Sequence, residues 1–152
     1  MEKKIQKKYI DMGFGFPVHL LNVPMVKVRG HWTPHINYSG LSDIVLNMIV
    51  LKKSKLTGDE LKFIRNKFEM TLLDFAEKFY VTHPAVLKWE AQKDEPTNMN
   101  WATEKDIRLY AYATLNGDDF YKVYKELRVQ ATSRKLNTRI DVKKRKSVLL
   151  SA

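Results

Sequence analysis

The spacing of hydrophobic and polar positions changes several times along the chain. Met1–Lys8 is lysine-rich and predicts a short, frayed start. Between Phe14 and Tyr38, the residues Pro17, Asn22, Pro24, Gly30 and Pro34 cut the chain into short β-favouring pieces. These pieces, Val18–Leu21, Met25–Val28 and Ile36–Tyr38, predict a small antiparallel sheet. Ser39-Gly40 ends that pattern. Leu41, Ile44, Val45, Met48, Ile49 and Leu51 then keep mostly helical spacing and predict a buried helix, with Lys52–Lys55 as a connection.

From Leu56 onward the helical period dominates. Thr57 and Glu60 have capping-box spacing ahead of Leu61, Ile64 and Phe68, which form one apolar stripe. Thr71 and Asp74 suggest a second cap, before a short helix bearing Phe75, Ala76 and Phe79. Tyr80-Val81 leaves room only for a tight turn, because Thr82 is again a good N-cap. Pro84 then falls in the first turn of a third helix, where its missing N–H is harmless. That helix runs through Val86 and Trp89 to Glu90, with Gln92–Pro96 as its exit. Further on, Thr103 with Asp106 predicts the cap of a helix carrying Ile107, Tyr110, Ala111 and Leu115, ended by Asn116-Gly117. Asp118 opens another through Phe120, Tyr121, Val123, Tyr124 and Leu127. Arg134–Ala152 holds little that could form a core.

Two short helices joined by a tight turn form a helix-turn-helix unit. Ala76 is the discriminating residue, since helices crossing steeply need a small side chain where their backbones approach. Val81 and Val86 can fill the angle, and Trp89 can close the underside. An ordinary helical hairpin with coincident spacing is the alternative.

Charge adds a partner. Of 152 residues, 27 are Lys or Arg and 17 are Asp or Glu, a formal net charge of +10. That balance favours a polyanion such as nucleic acid. It is unevenly placed: Met1–Lys55 has nine basic and three acidic residues, and Arg134–Ala152 has seven basic and one acidic. The chain has no cysteine, which rules out disulfides, a thiolate nucleophile and a Cys-ligated zinc site. No apolar run approaches the ~18 residues of a membrane span, and no signal-peptide pattern opens the chain, so a soluble cytoplasmic protein is expected. No Gly-rich phosphate loop, nucleophile–base signature or convincing carboxylate pair is present, and the chain does not read as an enzyme.

The stretch Leu56–Pro96 (LTGDELKFIRNKFEMTLLDFAEKFYVTHPAVLKWEAQKDEP) resembles the Xre/Cro–cI family of helix-turn-helix DNA-binding regulators. MTLLDFAEKFYVTHPAVLKWE matches the family's second and third helices without a gap. More narrowly, LTGDELKFIR, TLLDFA and VTHPAVLKWE in that order resemble MqsA- and HigA-like antitoxins. The chain departs from the pattern at Tyr80, which stands where the family usually has a glycine of positive φ, and at Leu72, which replaces a polar residue. It also has a net-acidic motif segment and lacks the zinc-binding cysteines that open MqsA-type antitoxins.

The resemblance implies a mainly α fold, a five-helix Xre-type helix-turn-helix bundle preceded by a small N-terminal α+β region. The expected domains are an α+β domain over 1–55 for dimerisation or partner binding, a DNA-binding domain over 56–133, and a basic tail over 134–152. Base-edge contacts carry over to His83, Pro84, Leu87 and Lys88, and phosphate contacts to Thr71, Thr82 and Lys93. Arg65 and Glu90 correspond to a structural ion pair. Lys143, Lys144, Arg145 and Lys146 form either part of a solvated tail or a basic arm along the DNA backbone. The implied protein is a dimeric, sequence-specific autorepressor of a double-stranded operator. The alternatives are an antitoxin that neutralises a toxin protein and a phage or mobile-element repressor. No cofactor or metal is expected. His31 and His35 are four apart, but Pro34 argues against a helix there and no third ligand joins them. Phe14, Phe16, Trp32 and Tyr38 read as the core of the small sheet rather than a stacking surface for single strands.

Overall fold

Lysine does not prevent the chain from opening in a strand. β1 spans Lys3–Asp11 and pairs antiparallel with β2 (Val18–Val28) from Lys3↔Val26 to Asp11↔Val18. The computed structural model describes residues 1–117, Leu127 and 135–150. Two units emerge, a sheet unit of Met1–Val45 with Asn137–Ala152 and a helical unit of Leu46–Leu136.

In the sheet unit, β2 is central. β3 (His31–Pro34) pairs antiparallel with its C-terminal end, through a two-residue turn in which Arg29 (φ 51°) and Gly30 (φ 82°) are both left-handed. Such turns match the twist of the flanking strands. β4 (Arg139–Asp141) pairs parallel with the N-terminal half of β2, His19↔Arg139 to Leu21↔Asp141. A 3-10 turn over Val142–Arg145 follows. Val18, Leu20, Val23 and Met25 of β2 are buried, as are Ile140, Val142 and Leu149. α1 spans Tyr38–Leu51, and the division between the units falls within it, after Val45. A closing helical turn, α6, covers Lys146–Leu149.

The helical unit continues with α2 (Gly58–Lys67), α3 (Leu72–Lys78), α4 (His83–Glu90) and α5 (Trp101–Asn116). Thr57–Glu60 and Thr71–Asp74 form complete capping boxes, with hydroxyl and carboxylate each accepting the other residue's backbone N–H. α2 and α3 end alike. Met70 N–H reaches the Arg65 carbonyl and Val81 N–H the Ala76 carbonyl, with Glu69 (φ 55°) and Tyr80 (φ 56°) left-handed at the turns. These are Schellman endings with no glycine at the left-handed position. Phe75 and Phe79 meet at 4.8 Å with their rings tilted by 57°, and Tyr110 of α5 meets Phe79 edge-on at 5.5 Å and Phe68 at 5.6 Å.

A buried ionic cluster fastens the chain ahead of α2. Arg108 of α5 is fully buried and donates to the carbonyls of Val50, Lys52 and Ser54 and to the Glu104 carboxylate. Glu104 also accepts the Leu56 N–H, and Lys52 pairs with Glu60. Lys52–Lys55 is thus partly interior. Burial lowers the affinity of Arg108 and Lys52 for their protons, opposed by Glu104 and Glu60 respectively.

The fold is α+β, with a mixed four-stranded sheet, and not the expected mainly α five-helix bundle. Three expectations fail for physical reasons. The opening lysines sit on an edge strand, where they are tolerated and discourage edge-to-edge pairing. Ile36–Tyr38 is not a strand, because Asn37 caps α1: its side-chain oxygen accepts the Gly40 N–H, its carbonyl accepts the Leu41 N–H, and the helix begins at Tyr38. The segment expected as a tail over 134–152 is, over its described residues 135–150, not one, since β4 and the residues after it supply Ile140, Val142 and Leu149 to the core. In addition, α5 starts two residues before Thr103, capped by Asn100, whose side chain accepts the Ala102 N–H at 2.8 Å. The helix expected from Asp118 lies outside the described residues except for Leu127, which is buried with Leu109 and has the partly buried Trp101 and Tyr112 packed against the pair.

Candidate nucleic-acid interface

α4 has eight residues and two distinct sides. Val86 is fully buried and Trp89 partly so, three residues apart on the stripe that holds the helix down. His83, Pro84, Leu87 and Lys88 are exposed. They form two i,i+4 pairs, His83/Leu87 and Pro84/Lys88, on adjacent rows of one helix surface. All four residues assigned to base contact therefore share one solvent-facing surface.

The seat of α4 is built from the neighbouring helices. Ala76 and Phe75 of α3 are buried, and the turn into α4 is closed by the Val81 N–H, which reaches the Ala76 carbonyl at 3.0 Å. From α2, Arg65 donates through Nε to Glu90 at 2.7 Å and through a second nitrogen at 2.9 Å, and its third nitrogen holds the Met70 carbonyl at 2.9 Å. These hydrogen bonds to Glu90 raise the Arg65 proton affinity above its usual level. The fork fixes the C-terminal end of α4 and leaves its N-terminal end free.

Helix N-termini carry partial positive charge and unpaired N–H groups. At α4 only Thr82 caps, accepting the Ala85 N–H at 3.3 Å, and no acidic residue lies in the first turn. At α3 the Thr71 hydroxyl and N–H are both engaged by Asp74, whose carboxylate already occupies that end. Thr71 is therefore less suited to a phosphate than its sequence position suggested, and Thr82 more so. Lys93 is exposed in the turn after α4, with φ 57°, and its carbonyl accepts the Asp59 N–H. Lys143–Lys146 lie in the sheet unit, on the 3-10 turn and the start of α6, with exposed side chains. They do not form a free arm.

The remaining candidates separate. His31 and His35 are exposed, and no group of three or more His, Asp or Glu able to hold a metal occurs among the described residues. Phe16 is buried, Trp32 lies under the Lys4 ammonium at 4.4 Å, and the Tyr38 hydroxyl bonds the buried Asp11 carboxylate. Burial, and then that carboxylate, push the Tyr38 ionisation well above its ordinary range. Two features escaped the sequence reading. Gly58 packs its α-carbon against the backbone at the end of α4, which capping-box spacing alone does not reveal. Lys8, His19 and Arg139 come together on the sheet, and only the pairing of β4 with β2 brings them there.

No family model, curated protein or solved structure matches the chain.

Proposed function

We propose that the protein is a cytoplasmic, sequence-specific DNA-binding regulator that acts as a dimer and represses its own operon. The observation that carries this reading is the exposed surface of His83, Pro84, Leu87 and Lys88 on a short helix with no acidic residue in its first turn. Lys88 can donate to guanine O6 or N7, His83 can donate or accept, and Leu87 and Pro84 suit a thymine methyl. Thr82 and the first-turn N–H groups suit the adjoining phosphate. The likeness of Leu56–Pro96 to Xre/Cro–cI regulators supports the same reading. A dimer follows because one short helix reads too few base pairs for an operator.

Competition binding over a randomised operator at fixed salt tests the proposal. Lys88→Ala is expected to lose about 1–3 kcal/mol on the preferred site and to relax preference at one base pair per half-site. An equal loss on every sequence would mean that Lys88 touches phosphate and that the base-reading role given to it is wrong.

A further inference from the structure

We infer that the sheet unit carries a second, sequence-independent surface for the phosphodiester backbone of duplex DNA, centred on Lys8 and Arg139. The inference rests on the DNA-binding reading only for the identity of the duplex.

The surface follows from strand register. Ile10, His19 and Arg139 stand in one row across β1, β2 and β4, and Lys8, Leu21 and Asp141 in the next. Side chains alternate along a strand, so these six share one face, while Tyr9, Leu20 and Ile140 between them share the other. Leu20 and Ile140 are buried, whereas Lys8, Ile10 and Arg139 are exposed. The exposed side holds an open hollow of about 240 Å³ whose lining includes Lys8, Ile10, His19, Leu21, Asn137 and Arg139. Ile10, Leu20 and Leu21 make the aliphatic part of the lining, Tyr9 also reaches it, and Lys8, His19, Asn137 and Arg139 bring nitrogen-bearing side chains. Among the described residues, no carboxylate lines the hollow. Asp141, on the same face, is already engaged: its two oxygens accept the Asn22 amide at 3.0 Å each, and one accepts the Lys143 N–H. A second hollow, of about 210 Å³, brings Lys143 and Lys146 against Ile5, Pro24 and Leu150.

Charge selects the occupant. The sheet unit has eleven basic and four acidic residues, against sixteen and thirteen in the helical unit. Four of the helical unit's cations pair with its own carboxylates, in Lys52–Glu60, Arg65–Glu90, Arg108–Glu104 and Lys135–Glu95. Among the described residues, Lys8, Arg139, Lys143 and Lys146 have no ion pair. A second copy of the chain would bring like charges together. Duplex DNA presents about one negative charge per 1.7 Å of axis, which suits cations spread over two shallow hollows better than an enclosed small-anion site would. The aliphatic part of the lining suits the carbon face of the sugars.

The test is anisotropy binding of the full chain to a non-operator duplex and to its selected operator across a salt series. Lys8→Gln/Arg139→Gln removes two exposed charges and no buried contact. It is expected to flatten the slope of log K against log salt by about 1.8 on both duplexes, at ~0.9 per phosphate, with base preference unchanged. Lys8→Arg/Arg139→Lys should restore the slope, and Lys143→Gln/Lys146→Gln should flatten it independently. Unchanged slopes in both Gln variants would overturn the inference. So would displacement of the duplex by polyglutamate at matched charge, which would mark a general polyanion surface. A wild-type chain without sequence preference, but with a slope that falls in the Gln variants, would retire the α4 reading and leave this one standing.

Discussion

At Gly58 a single added carbon would stand 2.6 Å from the Trp89 carbonyl oxygen, 2.7 Å from the Lys93 nitrogen and 2.8 Å from the Glu90 carbonyl oxygen. All three are backbone atoms, so no side-chain rotation relieves the contact. Alanine favours a helix over glycine by about 1 kcal/mol, but the clash is expected to outweigh it. Gly58→Ala should destabilise by about 1–3 kcal/mol, read as a lowered urea midpoint, and an unmoved midpoint would contradict the close seating of α2 on the end of α4. Arg108 poses the converse problem, because its charge is matched rather than its volume. Arg108→Met strands the Glu104 carboxylate in the interior and should cost about 3–5 kcal/mol in urea unfolding. Arg108→Met/Glu104→Leu should recover part of that loss. Equal losses would place the cost in the three carbonyls that Arg108 also serves. Tyr80 is a different kind of exception. It is 95% exposed, and its left-handed backbone costs on the order of 1 kcal/mol with no packing in return.

The elements were legible in proportion to how local their causes are. α2, α3 and α4 are each declared within a few residues, by Thr57 with Glu60, by Thr71 with Asp74, and by Thr82 with Pro84. The row of candidate contacts on α4 was legible for the same reason, since helical spacing alone puts His83 with Leu87 and Pro84 with Lys88. β1 was not legible, because an edge strand can carry Lys3, Lys4, Lys7 and Lys8 and still pair on both sides of the break at Asn22. β4 was less so: three residues, Arg139–Asp141, form a strand only because β2 offers an edge more than a hundred positions earlier. Its anchor is testable by pH. The Asn22 amide, more than any other group, holds the Asp141 carboxyl below the usual carboxylate range. A carboxyl depressed in the folded state stabilises fully above its unfolded value of about 4, and that contribution is lost as pH falls through the folded value. Urea stability of the wild type should therefore exceed that of Asp141→Asn at pH 7 and 5, with the difference shrinking below pH 4. A constant difference down to pH 2 would mean that the charge on Asp141 contributes nothing to β4.

On the scale of the whole molecule, the net charge of +10 was readable at once, but its allocation was not. Counting along the chain divides it between two basic ends. The fold joins those ends in one sheet, so that most of the excess sits on the unit that does not hold α4. The same joining sets an order of events during synthesis. Residues 46–136 are contiguous and can complete their own core as soon as they have left the ribosome. β1 and β2 emerge earlier, yet the His19–Leu21 edge of β2 has no β4 partner until residues 139–141 arrive. Contacts between such distant parts of a chain form slowly. In a growing polypeptide, the strands made first are the last to be finished.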